Sequence, residues 1–442
     1  MRPIYLILYA IHSYVLRVVF SRVVKVNPPK KYRQTSIIVS NHPSAFMDPL
    51  VIAGFQKPIV FFMTRSDVFK PALKPIFAAA NMLPIYRQMD GAGAVKKNKE
   101  VFEECYKILA TKRSPLLFGE GLTDDIFERK LKPIKKGAAR LAFGAMEFYN
   151  WDLDLKIHCV GLNYEDPTKL RSKLLIANAP YINVNDYKQI YEENPTTAIN
   201  QLTAAIENAI KEQITHINSE QNFAIHEQIM RLTFKGMHVI DSDKNLSLKQ
   251  RYEYSKKLAK RINHLEIKQE DKLNDLKNDV ASYFKNLAEN NVKNSYVKEF
   301  SKKGKVSHLY NLAFLLFMWP IALIGVILMG LPYWITKSFI ENTFKRKVFW
   351  LSTKMAVGML VGGFFNIGIA ILLYHTICPN FWLVLLFYFT VPATSFLIAY
   401  NYRKRWKDFI YKSKIDKNSI SKLAHQRQDL LKKIESLFPE TI

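Results

Sequence analysis

Ser36-Ile37-Ile38-Val39-Ser40-Asn41-His42-Pro43-Ser44-Ala45-Phe46-Met47-Asp48-Pro49 joins an apolar run to a polar junction and the start of a helical pattern. Its first five residues form a short apolar run, the pattern of a buried strand, and residues from Ser44 to Phe55 carry helical spacing. A histidine at such a strand-to-helix junction stands at the lip of a sheet. Asp48 follows six positions later. Chemistry on a hydroxyl needs a base near neutrality and a carboxylate that fixes the imidazole tautomer, and His42 and Asp48 suit those two roles. Taken alone, the pair is also what a capping Asp beside a surface histidine looks like.

Outward from this stretch, short apolar runs alternate with helical patterns as far as about Ala179. Strands are predicted at Pro58 to Met63, Leu83 to Arg87, Pro115 to Phe118, Leu155 to Val160 and Lys173 to Ala177. Val68 to Ala80, Gly93 to Ala110 and Ile134 to Tyr149 read as helices. This rhythm is that of an α/β domain, a mixed sheet flanked by helices. Three further blocks sit at strand ends. Leu83-Pro84-Ile85-Tyr86-Arg87 ends in a planar fork donor able to hold a phosphate, or in an ordinary surface arginine. Leu116-Leu117-Phe118-Gly119-Glu120-Gly121 runs into a glycine-flanked glutamate, where backbone can approach a ligand closely. Arg129, Lys130, Lys132, Lys135 and Lys136 add positive charge just beyond it. Cys159-Val160-Gly161-Leu162-Asn163-Tyr164 is a buried-type strand with polar residues at its end, suited to walling a pocket.

The 442 residues exceed one typical domain, and the net charge of +26 favours polyanions: nucleic acid, an anionic membrane or anionic substrates. Apolar stretches at Leu309 to Ile335, Trp350 to Tyr374 and Phe381 to Tyr400 select the membrane, since each can cross about 30 Å of hydrocarbon at about 1.5 Å per residue. No recognisable nucleic-acid module is interleaved with the basic residues, so no nucleic-acid partner is expected. Cys105, Cys159 and Cys378 share no disulfide or metal spacing, and no metal or cofactor is expected. Residues 1–22 read as an interfacial or membrane-anchoring helix with no cleavage site after it, and 23–184 as the α/β domain. Residues 185–304 are a charged helical segment, either a solvated spacer or a docking surface. A membrane domain over 305–402 and a basic cytoplasmic tail over 403–442 complete the chain. Lysines and arginines flank every apolar segment except at the link from His375 to Asn380. Basic loops stay cytoplasmic, so Pro320, Gly325, Gly330 and Pro332 are expected to break 309–335 into a re-entrant hairpin, followed by transmembrane helices at 350–374 and 381–400.

In order and separation, the four blocks over Ser36 to Ala179 resemble the glycerolipid acyltransferase superfamily, which includes glycerol-3-phosphate and 1-acylglycerol-3-phosphate acyltransferases. The likeness is most specific in Asn41 to Leu50, Phe118 to Gly121 and Pro133-Ile134-Lys135-Lys136-Gly137-Ala138-Ala139-Arg140-Leu141-Ala142. The resemblance implies an α/β acyltransferase domain with His42 as general base and Asp48 as its partner. It implies substrate contacts from Asn41, Arg87, Glu120 and Gly121. It further implies acyl-ACP or acyl-CoA as donor, a glycerol phosphate or lysophosphatidate as acceptor, and membrane lipids as surroundings, at a bacterial inner membrane with the catalytic domain on the cytoplasmic side. Another lysolipid acceptor, or a catalytically silent membrane tether, are the rival expectations. This chain departs from the family in two places. Five residues separate His42 from Asp48 where the family usually has four, and Gly119 stands where proline is common. Either the loop bulges to restore a direct contact or a water intervenes.

Overall fold

The computed structural model describes residues 3–29, 34–56, 59–69, 71, 74–86, 93–121, 123–238, 240, 242–243, 245–304 and 309–439. The chain divides into two compact units, Met1–His216 and Ile217–Ile442.

In the first unit, α1 (Pro3–Val19) leads to β1 (Arg22–Val26) and β2 (Ser36–Ser40), followed by α2 (Met47–Val51), β3 (Val60–Arg65), α3 (Lys74–Ala79), β4 (Met82–Ile85), α4 (Ala94–Ala110) and β5 (Ser114–Phe118). Then come α5 (Gly137–Phe148), β6 (Lys156–Tyr164), β7 (Lys173–Asn178), β8 (Ile182–Asn183), α6 (Lys188–Glu193) and α7 (Pro195–Lys211). Among the described residues the strands make one sheet in the order β1-β7-β6-β2-β5-β3-β4, with β8 beside β6. β6 and β7 pair antiparallel, as do β6 and β8, and the other neighbours are parallel. All five residues of β2 are buried, as expected of a central strand covered on both faces. The core on one side is closed by α5, whose small buried residues Ala138, Ala139, Ala142 and Ala145 let it lie close to the sheet. The mixed sheet with flanking helices is the fold class read from the sequence; β1 and β8 are additions to it.

Two boundaries differ from the expectation. The stripe Ala198, Leu202, Ile206 and Ile210 buries α7 in the core of the sheet unit, so this unit runs to His216 rather than ending at 184. An amphipathic stripe announces a buried face without saying what covers it. The second unit begins with α8 (Phe223–Thr233), α9 (Leu248–Lys268), α10 (Glu270–Glu289) and α11 (Asn294–Lys303). It continues with α12 (Leu309–Thr343), α13 (Trp350–Thr376), α14 (Phe381–Ser413) and α15 (Lys417–Leu437). Ser247 and Gln250 form a capping box that starts α9. Ile420, Leu423 and Ile434 of α15 share a core with Ile229, Leu258, Ile262 and Leu276, so the C-terminal stretch expected as a separate tail is part of a helical bundle.

α12 is also a correction. It is one continuous helix of 35 residues with Pro320 and Pro332 inside it, and no re-entrant break falls at 309–335. Each proline removes one backbone bond, yet in apolar surroundings the neighbouring turns keep the ladder together. α12, α13 and α14 are long and apolar enough to cross a membrane.

Candidate active site

The site lies where β2 and β5 end side by side. Ser40 is in register with Phe118, so two residues beyond each strand bring His42 level with Glu120. The His42 backbone N–H donates to Glu120 Oε1 at 2.6 Å, and the Lys132 N–H donates to Oε2 at 3.2 Å. Glu120 is buried and spends both oxygens on backbone, so it braces the His42 loop. Burial pushes its carboxyl above the ordinary range, and the two backbone N–H groups pull it partly back.

His42 Nδ1 lies 2.9 Å from Asp48 Oδ2, and the imidazole stacks on the Phe118 ring with centroids 4.1 Å apart. The contact is direct, which settles the choice left open by the five-residue spacing. The extra residue is absorbed at Ala45, whose φ of 45° places it in the left-handed region, with the Met47 N–H returning to Ser44 O at 3.0 Å and the Asp48 N–H to Ala45 O at 3.2 Å. Asp48 is fully buried, and three donors reach it. Oδ2 also accepts the Ser44 N–H at 2.8 Å, and Oδ1 accepts the Tyr164 hydroxyl at 2.8 Å. A carboxylate oxygen only accepts, so the proton of a neutral His42 sits on Nδ1 and the lone pair on Nε2. The histidine side chain is 20% exposed.

Tyr164 is the residue that sequence reasoning placed without its role. Its ring is buried, and burial with the adjacent Asp48 carboxylate holds its phenol well above the usual range, so it stays a donor. A phenol at the end of a buried strand was the signal available.

Asn41 departs from expectation as well. Its Nδ2 donates to Leu162 O at 3.1 Å and its Oδ1 accepts the Leu162 N–H at 2.8 Å, so the amide takes the place of the next β2 residue against β6. Beyond it, Arg129 donates to the carbonyls of Tyr164 and Glu165 at 3.0 and 3.2 Å. These side chains close the flank of β6 that β2 leaves uncovered, with Asn41 as a strut. Gly121 has φ +71°, and a Cβ there would stand 2.9 Å from Lys135 Nζ, so the glycine keeps space for an ammonium group beside the site. Arg87, read as a phosphate contact, lies outside the described residues.

α1 packs one face behind this region. His12 Nε2 is 3.0 Å from Leu50 O, and a Cβ on Gly54 would stand 2.6 Å from Leu16 Cδ1. Its opposite face leaves Leu6, Ile7, Ile11 and Tyr14 exposed.

Residues 22–162, which contain His42, Asp48 and Glu120, match the family model Acyltransferase. They belong to the glycerolipid acyltransferase superfamily. The acyltransferase domain has a curated relative in glycerol-3-phosphate O-acyltransferase 1 of Saccharomyces cerevisiae, 22% identical over 302 residues, which cover 65% of this chain and 37% of the yeast protein. The chain thus spans little more than a third of that relative's length. Among solved structures it is similar to the 1-acyl-sn-glycerophosphate acyltransferase PlsC from Thermotoga maritima, at 16% identity and a TM-score of 0.29, over 46% of this chain and 80% of that one.

Proposed function

We propose that the acyltransferase domain moves a fatty acyl group from a thioester carrier, acyl-ACP or acyl-CoA, to a hydroxyl of glycerol 3-phosphate or 1-acylglycerol 3-phosphate. The observation that carries this reading is the direct His42 to Asp48 contact at 2.9 Å, which leaves Nε2 as the basic nitrogen of the ring. Nε2 takes the hydroxyl proton as the oxygen attacks the thioester carbonyl, and Asp48 stabilises the imidazolium that forms. Collapse of the tetrahedral adduct breaks the C–S bond, and the departing sulfur takes the proton back from His42. No acyl-enzyme is needed.

Lys135, beside Gly121, is suited to the phosphate of the acceptor, and Arg87 is proposed as its second contact. A membrane location fits the chemistry, because moving a long acyl chain through water costs about 0.8 kcal/mol per methylene. The exposed apolar face of α1 would bring the site to that surface, on the cytoplasmic side where basic flanks are retained.

The decisive assay offers glycerol 3-phosphate and its 1-acyl form side by side to the purified protein with labelled acyl thioester. We expect one acceptor to be labelled and His42→Ala to lower that rate by about 10² to 10⁴. Near-normal transfer by His42→Ala would overturn the assignment.

A further inference from the structure

The three apolar helices meet in a way that an up-down-up bundle cannot reproduce. α12 runs antiparallel to α14: Asn311, near the start of α12, donates to Asp408 Oδ2 near the end of α14 at 3.0 Å. Arg405 lies over the rings of Tyr310 and Phe314 at 4.7 and 4.4 Å. Further along, a Cβ on Gly325 would stand 2.2 Å from Ser395 O. α12 is antiparallel to α13 too, since Lys354 Nζ is 2.6 Å from Glu341 Oε1 and Asn366 Nδ2 donates to Leu328 O at 3.1 Å. α13 and α14 form the third antiparallel pair. Tyr388 donates to Gly363 O at 3.5 Å, and Ile371, Tyr374, Phe381 and Leu385 line one apolar crevice between the two helices. Three rods sharing one axis can be antiparallel in at most two of their three pairs, so these helices share no common axis: their middles meet at Gly325, Ser395, Leu328 and Asn366, and their ends pair off at three corners.

Each corner has a distinct charge. At the first, where α12 begins and α14 ends, stand Lys302, Lys303, Arg403, Lys404, Arg405 and Lys407. Lys293 and Lys412 tie that corner to the helical bundle through Asp408 at 2.8 Å and Glu299 at 2.9 Å. At the second, between α12 and α13, stand Lys345, Arg346 and Lys347. The third, from Ile377 to Asn380, has no lysine or arginine. Basic flanks stay on one side of a membrane and resist transfer across it.

We infer that α12 does not cross the bilayer: it lies embedded along one face of a lipid membrane, its two basic ends on the same side, while α13 descends from that side and α14 returns to it. The chain enters and leaves by one face, with the link at Ile377 to Asn380 as the deep tip. An odd count of three crossings is excluded by the contact between Asn311 and Asp408, which holds the two ends of the apolar region together. This inference is independent of the reaction assigned to the first unit, and acyl-transfer assays neither support nor damage it.

Native thiols make the test simple. Cys105 and Cys159 are buried, with burial pushing both thiols up to about 12, whereas Cys378 sits at the tip and is partly exposed. In sealed membrane vesicles prepared in both orientations, a membrane-impermeant maleimide is applied to the full chain carrying Cys378→Ser with Ser301→Cys, Thr343→Cys or Ser413→Cys in turn. All three should label in the same orientation and lose labelling in the other. The native Cys378 should label only in the opposite orientation, or in neither until detergent is added. Thr343→Cys labelling opposite to Ser301→Cys, or native Cys378 labelling together with the three, would overturn the arrangement. Trypsin on the unsubstituted chain gives an independent reading should a variant fail to fold: cuts after Lys345 to Lys347 and after Lys302 to Lys303 should arise in one vesicle orientation. Cuts at these two places from opposite orientations would overturn it equally.

Discussion

Asp48 sits in the protein interior with four lone-pair directions and three donors around it: the His42 ring, the Ser44 amide and the Tyr164 hydroxyl. A buried acceptor stripped of one donor keeps its desolvation cost without compensation. Tyr164→Phe should therefore lower stability by about 1–3 kcal/mol. Because the carboxylate is then free to turn away from the imidazole, kcat should fall about tenfold with KM little changed; an unaltered kcat would mean that the phenol only fills space. Glu120 gives a prediction with a definite sign. Its folded pKa is raised, so the folded state holds the proton more tightly than the unfolded chain does, and that contribution is present below the ordinary value of about 4.3 and lost as pH climbs through the raised one. Thermal unfolding of wild type and Glu120→Gln from pH 4 to 7 should show the difference in Tm moving in favour of the glutamine variant as pH rises. A constant difference would place the group in an ordinary environment.

At the scale of elements, the loop from His42 to Asp48 shows how one extra residue is accommodated without losing the dyad. An alanine held in the left-handed region costs about 1–2 kcal/mol, and a β-branched side chain there costs more. Ala45→Gly should leave transfer intact and change Tm little, whereas Ala45→Val should lower both; a Val variant as stable as wild type would contradict the backbone described for this turn. The strand-to-helix junction and the pair His42 and Asp48 were legible because all their determinants lie within fourteen residues. Tyr164 was not, since what makes it matter is a partner 116 positions away. Asn41 and Glu120 were given substrate contacts by the family resemblance; the backbone hydrogen bonds they make became visible only with the strand register.

At the scale of the molecule, the unit boundary falls at His216 because α7 completes the sheet core, and α15 returns to complete the second core. Ile434→Ala should destabilise the second unit by about 2–5 kcal/mol, whereas a solvated tail would tolerate it; unchanged thermal unfolding would restore the tail reading. Periodicity made these helices visible but not their partners, and the prolines in α12 were taken as breaks because both flanks of that segment are basic. One detail of the first unit bears on the fate of newly made chains. Past Val160, the side of β6 facing β2 has no strand to pair with among the described residues, and Asn41 and Arg129 occupy its backbone groups instead. Before those two side chains arrive, that rim is an adhesive margin on which a second nascent polypeptide could dock its own backbone. Replacing Asn41 should thus show itself first as material lost to inclusion bodies, ahead of any deficit in the protein that does mature.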